Sequence, residues 1–257
     1  MIDCHSHLAL SEFDRDRHDV IRRARKAGVE SIIVVGQDIG DNHRVLSVCR
    51  QYPDVLRPCI GLHPDQFSER QQAPNVEDIE AVFDLVRGQQ AAIAGIGEVG
   101  LDYWSVKDPD RRVLQRHFLS RMVKLSLELD LVLNIHSRSA GHYTLDLLAE
   151  NGAERVLMHA FDGKARYAAE AALRHGWCFA IPPSIVRSSQ KQKLARALPL
   201  ESIALESDSP ALGPDRNERN EPANLACSAE MIAGLKDVDI ETVKRITTAN
   251  AKRLFGL

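Results

Sequence analysis

Ala91-Ala92-Ile93-Ala94-Gly95-Ile96-Gly97-Glu98 is a short apolar run that ends on an acid, and the segment beyond it, Asp108 to Leu129, carries apolar residues at helical spacing. In that second segment Leu114, Phe118, Met122, Leu125 and Leu129 fall on one face, a stripe that reads as core. A buried strand followed by a one-faced helix is a single βα unit. Working outward, seven more apolar runs repeat the motif: Ile2 to Leu8, Ser31 to Val35, Val55 to Leu62, Leu131 to His136, Arg155 to His159, Trp177 to Ile181 and Ser202 to Glu206. Helical patterns separate them at Asp14 to Ala27, Asp41 to Tyr52, Glu77 to Arg87, Gly141 to Asn151, Ala165 to His175 and Ser188 to Leu198, with Gly28, Gly88, Gly152 and Gly176 as stops. Eight units of this kind predict an α/β fold, a (β/α)8 TIM barrel with its active site at the C-terminal ends of the strands. Two further helical segments, Asn224 to Leu235 and Asp239 to Phe255, read as closing helices, so 1–257 is expected to be one barrel domain.

The composition fits that size. Of 257 residues 44% are apolar and 27% charged, enough for a large core without staples. The five cysteines, Cys4, Cys49, Cys59, Cys178 and Cys227, are scattered and form no C-x-x-C pair, which predicts buried thiols in a reducing compartment. The N-terminus opens directly into Met1-Ile2-Asp3-Cys4-His5 with no signal-peptide pattern, and no apolar run is long enough to span a bilayer. A cytoplasmic protein is the expectation. The formal net charge is -3, so an anionic substrate would need local basic groups or bound metal to hold it.

The chemistry collects at the strand ends. Side chains two apart on a strand share a face, so His5 and His7 can grip one cation, while alternation turns Cys4 away from them. His63 ends the third run, Glu98 the fourth, His136 the fifth and His159 the sixth, and Asp208 follows the eighth. So many ionisable groups at one mouth would be costly to bury unless metal holds them. The set exceeds the three protein ligands of an ordinary mononuclear catalytic zinc site and suits two ions bridged by a carboxylate. By contrast His18, His43, His117, His142 and His175 lie in helical segments and read as surface or packing residues.

These motifs, D-C-H-S-H-L at Asp3 to Leu8, G-L-H-P at Gly61 to Pro64, G-E-V-G-L-D at Gly97 to Asp102, H-S-R at His136 to Arg138, H-A-F-D-G at His159 to Gly163 and E-S-D-S-P at Glu206 to Pro210, resemble the TatD-type metal-dependent deoxyribonucleases of the metal-dependent hydrolase superfamily. The resemblance covers essentially the whole chain. The fragments H-S-R-S-A-G, P-P-S-I and R-N-E-P look like a branch that includes an animal paralogue. Ser207 stands where the family has threonine, and H-A-F-D-G is a variant of its H-x-F-x-G; neither change touches a ligand position. The resemblance implies His5, His7 and Asp208 on one metal, His136 and His159 on the other, and Glu98 bridging both. It further implies His63 and Arg138 on the scissile phosphate, with Asp102 supporting the site from behind. Each has a plainer reading: His63 as a strand-end cap, Arg138 in a salt bridge at the mouth, Asp102 as a turn cap.

The implied cofactors are two divalent ions, Mg2+, Mn2+ or Zn2+, and the implied partner is DNA with single-stranded or frayed ends. The implied reaction is exonucleolytic phosphodiester hydrolysis, with Asp208 as candidate base. An amidohydrolase or small phosphoester hydrolase on the same barrel is the alternative, since fold and ligands do not dictate substrate. A scaffold without turnover is a poor match for so complete a donor set. Tyr103 and Trp104 after the fourth strand either stack on a base or cover an apolar edge. Arg187, Lys191, Lys193 and Arg196 in the seventh unit either track a nucleic-acid backbone or form a solvated helix face, the second being favoured.

Overall fold

A computed structural model describes residues 1–70 and 72–257. Eight strands among them form one sheet in the order β1 to β8, with each adjacent pair parallel: β1 Ile2–Ser6, β2 Ser31–Val35, β3 Leu56–Ile60, β4 Gly95–Gly100, β5 Val132–His136, β6 Val156–Met158, β7 Cys178–Ile181 and β8 Ile203–Leu205. Helices α1 Arg17–Lys26, α2 Ile39–Gln51, α3 Val76–Gly88, α4 Pro109–Leu129, α5 Gly141–Glu150, α6 Ala165–His175 and α7 Ser189–Ala197 return the chain between them. The expected barrel is therefore present.

The ring closes just past the end of β8. Asp208 N donates to His5 O and His7 N to Ser209 O, both at 2.9 Å. Beneath them the buried Asp3 carboxylate accepts from Ser207 N at 2.8 Å, so a side chain completes the backbone ladder. Helices α8 Leu225–Lys236 and α9 Ile240–Phe255 close the outside. The end of α9 also plugs the barrel floor: Ala251, Leu254 and Phe255 join the inward-facing Ile2, Ile33, Val35, Val132, Leu157 and Ala204 in one apolar cluster. No helix among the described residues is long and apolar enough to cross a membrane.

Three local expectations change. Ala91 to Ala94 is a turn rather than strand, because the C-terminal turn of α3 runs on and Ala92 N donates to Gln89 O at 2.8 Å. Gly88 stays inside α3, whereas Gly28, Gly152 and Gly176 take the left-handed conformation, with φ of 85°, 70° and 71°. In α4, Leu114 is 45% exposed and the neighbouring Gln115 is buried instead. Gln115 donates to Pro64 O at 2.6 Å and accepts from Asp102 N at 3.3 Å, tying the loops after β3 and β4 together.

Cys4 also departs from its expected place. Simple alternation turns it to the face opposite His5 and His7, yet it lies fully buried within the barrel, with Cys59 and Cys178 in the same interior cluster. All five cysteines are free thiols. Truncation of Cys4 removes a packed sulfur deep in the barrel, so Cys4→Ala is expected to cost about 1–2 kcal/mol and a few degrees of melting temperature. Metal content should be unchanged, since the Cys4 thiol lies in the apolar cluster and is raised well above its usual pKa by burial. A folded Cys4→Ala protein that loses one metal equivalent would contradict this placement.

Candidate metal centre at the barrel mouth

Irregularities in two strands explain why the candidate ligands face inward. Between Asp3↔Ile32 and Ser6↔Val34, β1 spends one residue more than β2, and between Ile96↔Leu133 and Val99↔Ile135, β4 spends one more than β5. An extra residue on one strand reverses the alternation of side chains beyond it. Cys4 can thus sit in the barrel while His5 and His7 reach the mouth, and Glu98 is delivered in the same way. The β4 irregularity needs the glycines of G-E-V-G. A Cβ on Gly97 would lie 2.7 Å from Asn134 Cβ, and one on Gly100 would lie 2.0 Å from His136 O.

Four side chains form a tight cage. His5 Nε2 and His7 Nε2 are 3.3 Å apart, each is 3.4 Å from Glu98 Oε2, and they lie 3.7 and 3.5 Å from Asp208 Oδ1. A tetrahedral ion bound at about 2.1 Å holds its donors about 3.4 Å apart, so one cation fits this cage. Glu98 Oε2 is buried and accepts no hydrogen bond, the partnerless acceptor that a cation would satisfy. Asp208 holds its position with φ of 52°, a left-handed conformation that aspartate tolerates better than most residues. Although burial disfavours its charge, His159, His7 and His5 outweigh that and hold Asp208 below the usual carboxylate range.

Glu98 Oε1 faces a second group. It is 2.7 Å from His136 Nδ1, 3.5 Å from His63 Nε2 and 3.8 Å from His159 Nε2. One carboxylate therefore presents its two oxygens to two donor sets. Burial opposes a charge on His136, but Asp102 and Glu98 prevail and raise it to about 9. Despite its burial Glu98 is held well below its usual range by His63, His5 and His136. His159 is driven the other way by burial and by His5, whose ring stacks on it at 3.5 Å, which suits a neutral ligand.

The other nitrogen of each imidazole in the cluster is also held. His5 Nδ1 meets Asn134 Oδ1 at 2.8 Å, His7 Nδ1 lies 3.1 Å from the Gln37 amide, His136 Nε2 is 3.0 Å from Asp102 Oδ2, and His159 Nδ1 is 2.8 Å from Glu206 Oε2. Such partners fix the tautomer and aim of a metal-binding histidine. Sequence reasoning missed Gln37, Asn134 and Glu206. Asn134, two residues before His136, carried a usable signal: a polar residue inside an apolar run on the inward face.

Asp102 combines both readings, since Oδ1 caps the turn by accepting from Trp104 N and Ser105 N while Oδ2 faces His136. His63 does likewise: Nδ1 accepts from Asp65 N at 3.1 Å, leaving Nε2 toward Glu98. Arg138 makes no salt bridge among the described residues; its exposed guanidinium stands 5.2 Å from the ring of Trp104, which is 59% exposed. A cleft of about 370 Å³ opens beside the cage, lined by His136, Arg138, His159, Asp162, Lys191 and Asp208 among others. Lys191 overturns the solvated-face reading for its own position, being 8% exposed and turned into the mouth, whereas Arg187, Lys193 and Arg196 are exposed. The helical His18, His43, His117, His142 and His175 belong to no metal-competent cluster among the described residues.

The family model for TatD related DNase matches residues 2–256. Mouse putative deoxyribonuclease TATDN3 is 45% identical over 260 residues, covering 99% of this chain and 88% of the mouse protein. Human deoxyribonuclease TATDN3 is 43% identical over 259 residues, with 99% and 94% covered. The 3'-5' ssDNA/RNA exonuclease TatD of Erwinia tasmaniensis is 30% identical over 269 residues, covering the whole of both chains. Among solved structures, the TatD homologue YJJV of Escherichia coli superposes with a TM-score of 0.89 at 25% identity, covering 100% of this chain and 98% of that one. The match runs from the first strand to the last helix, takes in every motif that meets at the mouth, and agrees with the resemblance read from those motifs: the chain belongs to the TatD family of related DNases.

Proposed function

We propose that the protein is a metal-dependent deoxyribonuclease that removes nucleotides from the ends of single-stranded or frayed DNA, using two divalent ions. His5, His7 and Asp208 would hold one ion, His136 and His159 the other, and Glu98 would bridge them. The observation that carries this reading is the placement of Glu98, with Oε2 against one donor set and Oε1 against the other. The names of the relatives support the substrate: deoxyribonuclease for the animal proteins, single-strand exonuclease for the bacterial one. Imidazole-rich ligation suits Zn2+ or Mn2+, with Mg2+ the choice that oxygen donors would favour.

When bound, the ions supply Lewis-acid charge and bring the pKa of water toward neutrality. The chain's own groups do the rest. Asp208 reaches the cage with Oδ1, where it can orient an attacking water and accept its proton. His63 Nε2 and the Arg138 guanidinium flank the mouth as donors to phosphate oxygens, which lets a net-negative protein hold a polyanion. The loops after β3 and β4, locked by Gln115, keep His63 and Asp102 in place while substrate enters. The direct test is cleavage of end-labelled single-stranded DNA after chelation and stepwise return of each metal. Failure to cleave with any of Mg2+, Mn2+ or Zn2+ would refute the proposal.

Arg138 separates phosphate binding from metal binding. A guanidinium offers only donors and cannot ligate a cation. Arg138→Ala is expected to keep its metals and its melting temperature yet lose about 2–4 kcal/mol of transition-state stabilisation, roughly 30- to 1,000-fold in kcat/KM. Cleavage at the wild-type rate would remove Arg138 from the site.

A further inference from the structure

Lys191 is costly to the fold in three ways. It is more than nine-tenths buried, and Glu206, Asp162 and Asp208 attract its ammonium without any of them forming an ion pair with it among the described residues. It also sits in the first turn of α7, the end of a helix whose dipole disfavours a cation. Burial disfavours the ammonium and lowers its pKa, and those carboxylates offset this only in part. Two of its three N–H groups donate to Ala160 O at 2.6 Å and Phe161 O at 2.9 Å, in the loop that follows His159. The third finds no acceptor among the described residues, and the residue lines the cleft shared with His159, Asp208 and Arg138. Bracing the loop does not account for the charge. Gln190 already ties the same segment through Phe161 O and Gly163 O, at 3.2 and 3.1 Å.

The geometry points to Lys191 as a substrate-binding residue whose remaining N–H donates to a phosphate oxygen of the DNA strand, in the cleft that Arg138 also lines. The two loop carbonyls fix the direction of that donor. This inference rests on the nuclease reading of the same mouth and adds a phosphate donor to it.

The test follows kcat/KM for an end-labelled single-stranded oligonucleotide across a KCl series, in wild type, Lys191→Met and Lys191→Gln. Met keeps the length without the charge; Gln keeps donors for the loop carbonyls without the charge. Deleting a cation that neutralises one phosphate flattens a plot of log affinity against log salt by about 0.7 for a single strand. Both variants are expected to fold and retain metal content, to raise KM about tenfold, and to shallow the slope of log(kcat/KM) by about 0.7. A purely structural lysine would lower activity with the slope unchanged, and that result, or an unchanged KM, would overturn the inference. Should one variant not fold, the other decides alone. Absence of cleavage by wild type would instead refute the nuclease proposal, so the two failures are distinct.

Discussion

Asp208→Asn and Asp208→Ala are expected to lose DNA cleavage by at least roughly a thousandfold, about 4 kcal/mol, with a parallel loss of metal occupancy. Asp208 lies 3.5 Å from His7 Nε2 and 3.7 Å from His5 Nε2, so it closes the first cage and also supplies the candidate base. The two variants divide these roles. Asparagine tolerates the left-handed backbone and keeps an oxygen ligand, but it cannot accept a proton at neutral pH. Alanine loses ligand and base and is strained at φ 52°. Metal content should therefore fall further in Asp208→Ala than in Asp208→Asn, while both are nearly inactive. Elemental analysis, thermal unfolding and cleavage on the same preparations would show this, and full activity with wild-type metal content in either variant would overturn the cage.

Glu98→Gln is expected to affect both ions at once. An amide cannot supply charge to two cations, so both affinities should drop together and activity should fall by roughly a thousandfold or more. Loss of one ion only would show that Glu98 is not shared. The metal-free protein offers a second readout. His136 is raised to about 9 despite its burial, chiefly by Asp102 and Glu98, against a usual value of 6.5. A raised histidine contributes stability that is complete below its unfolded pKa and is lost as pH climbs through the folded value. Metal-free wild type should therefore lose stability between about pH 6.5 and 9, and Glu98→Gln should flatten that decline. A melting-temperature profile in the presence of chelator, superimposable for the two proteins, would remove Glu98 from this linkage.

The barrel was legible because its signals are periodic and local: short apolar runs, amphipathic stretches and glycine stops recur along the chain. His5, His7, His63, Glu98, His136, His159 and Asp208 could be grouped because each ends or follows a strand, and parallel strands in a barrel bring those ends to one face. The structure places their side chains together at that face. What escaped depends on non-local geometry. The extra residues in β1 and β4 leave no mark in a hydrophobicity pattern, so simple alternation put Cys4 on the wrong side. Lys191 was hidden by its neighbours, since Lys193 and Arg196 on the same helix are exposed and make the whole segment read as a solvated face. Gln37, Asn134 and Glu206 acquire meaning only through the imidazole each one touches.

Closure of the ring has a consequence for the order of events during synthesis. The Asp3 carboxylate that completes the seam meets Ser207, 204 residues further along the chain. At a ribosomal rate of about 5–20 residues per second, the first strand waits roughly 10–40 s for its last partner. Throughout that interval His5 and His7 exist without Asp208, and the barrel has an open edge on each side. The complete cage cannot assemble until Asp208, just past β8, has emerged, so a cation that needs all four donors would find them together only late in the life of the nascent chain.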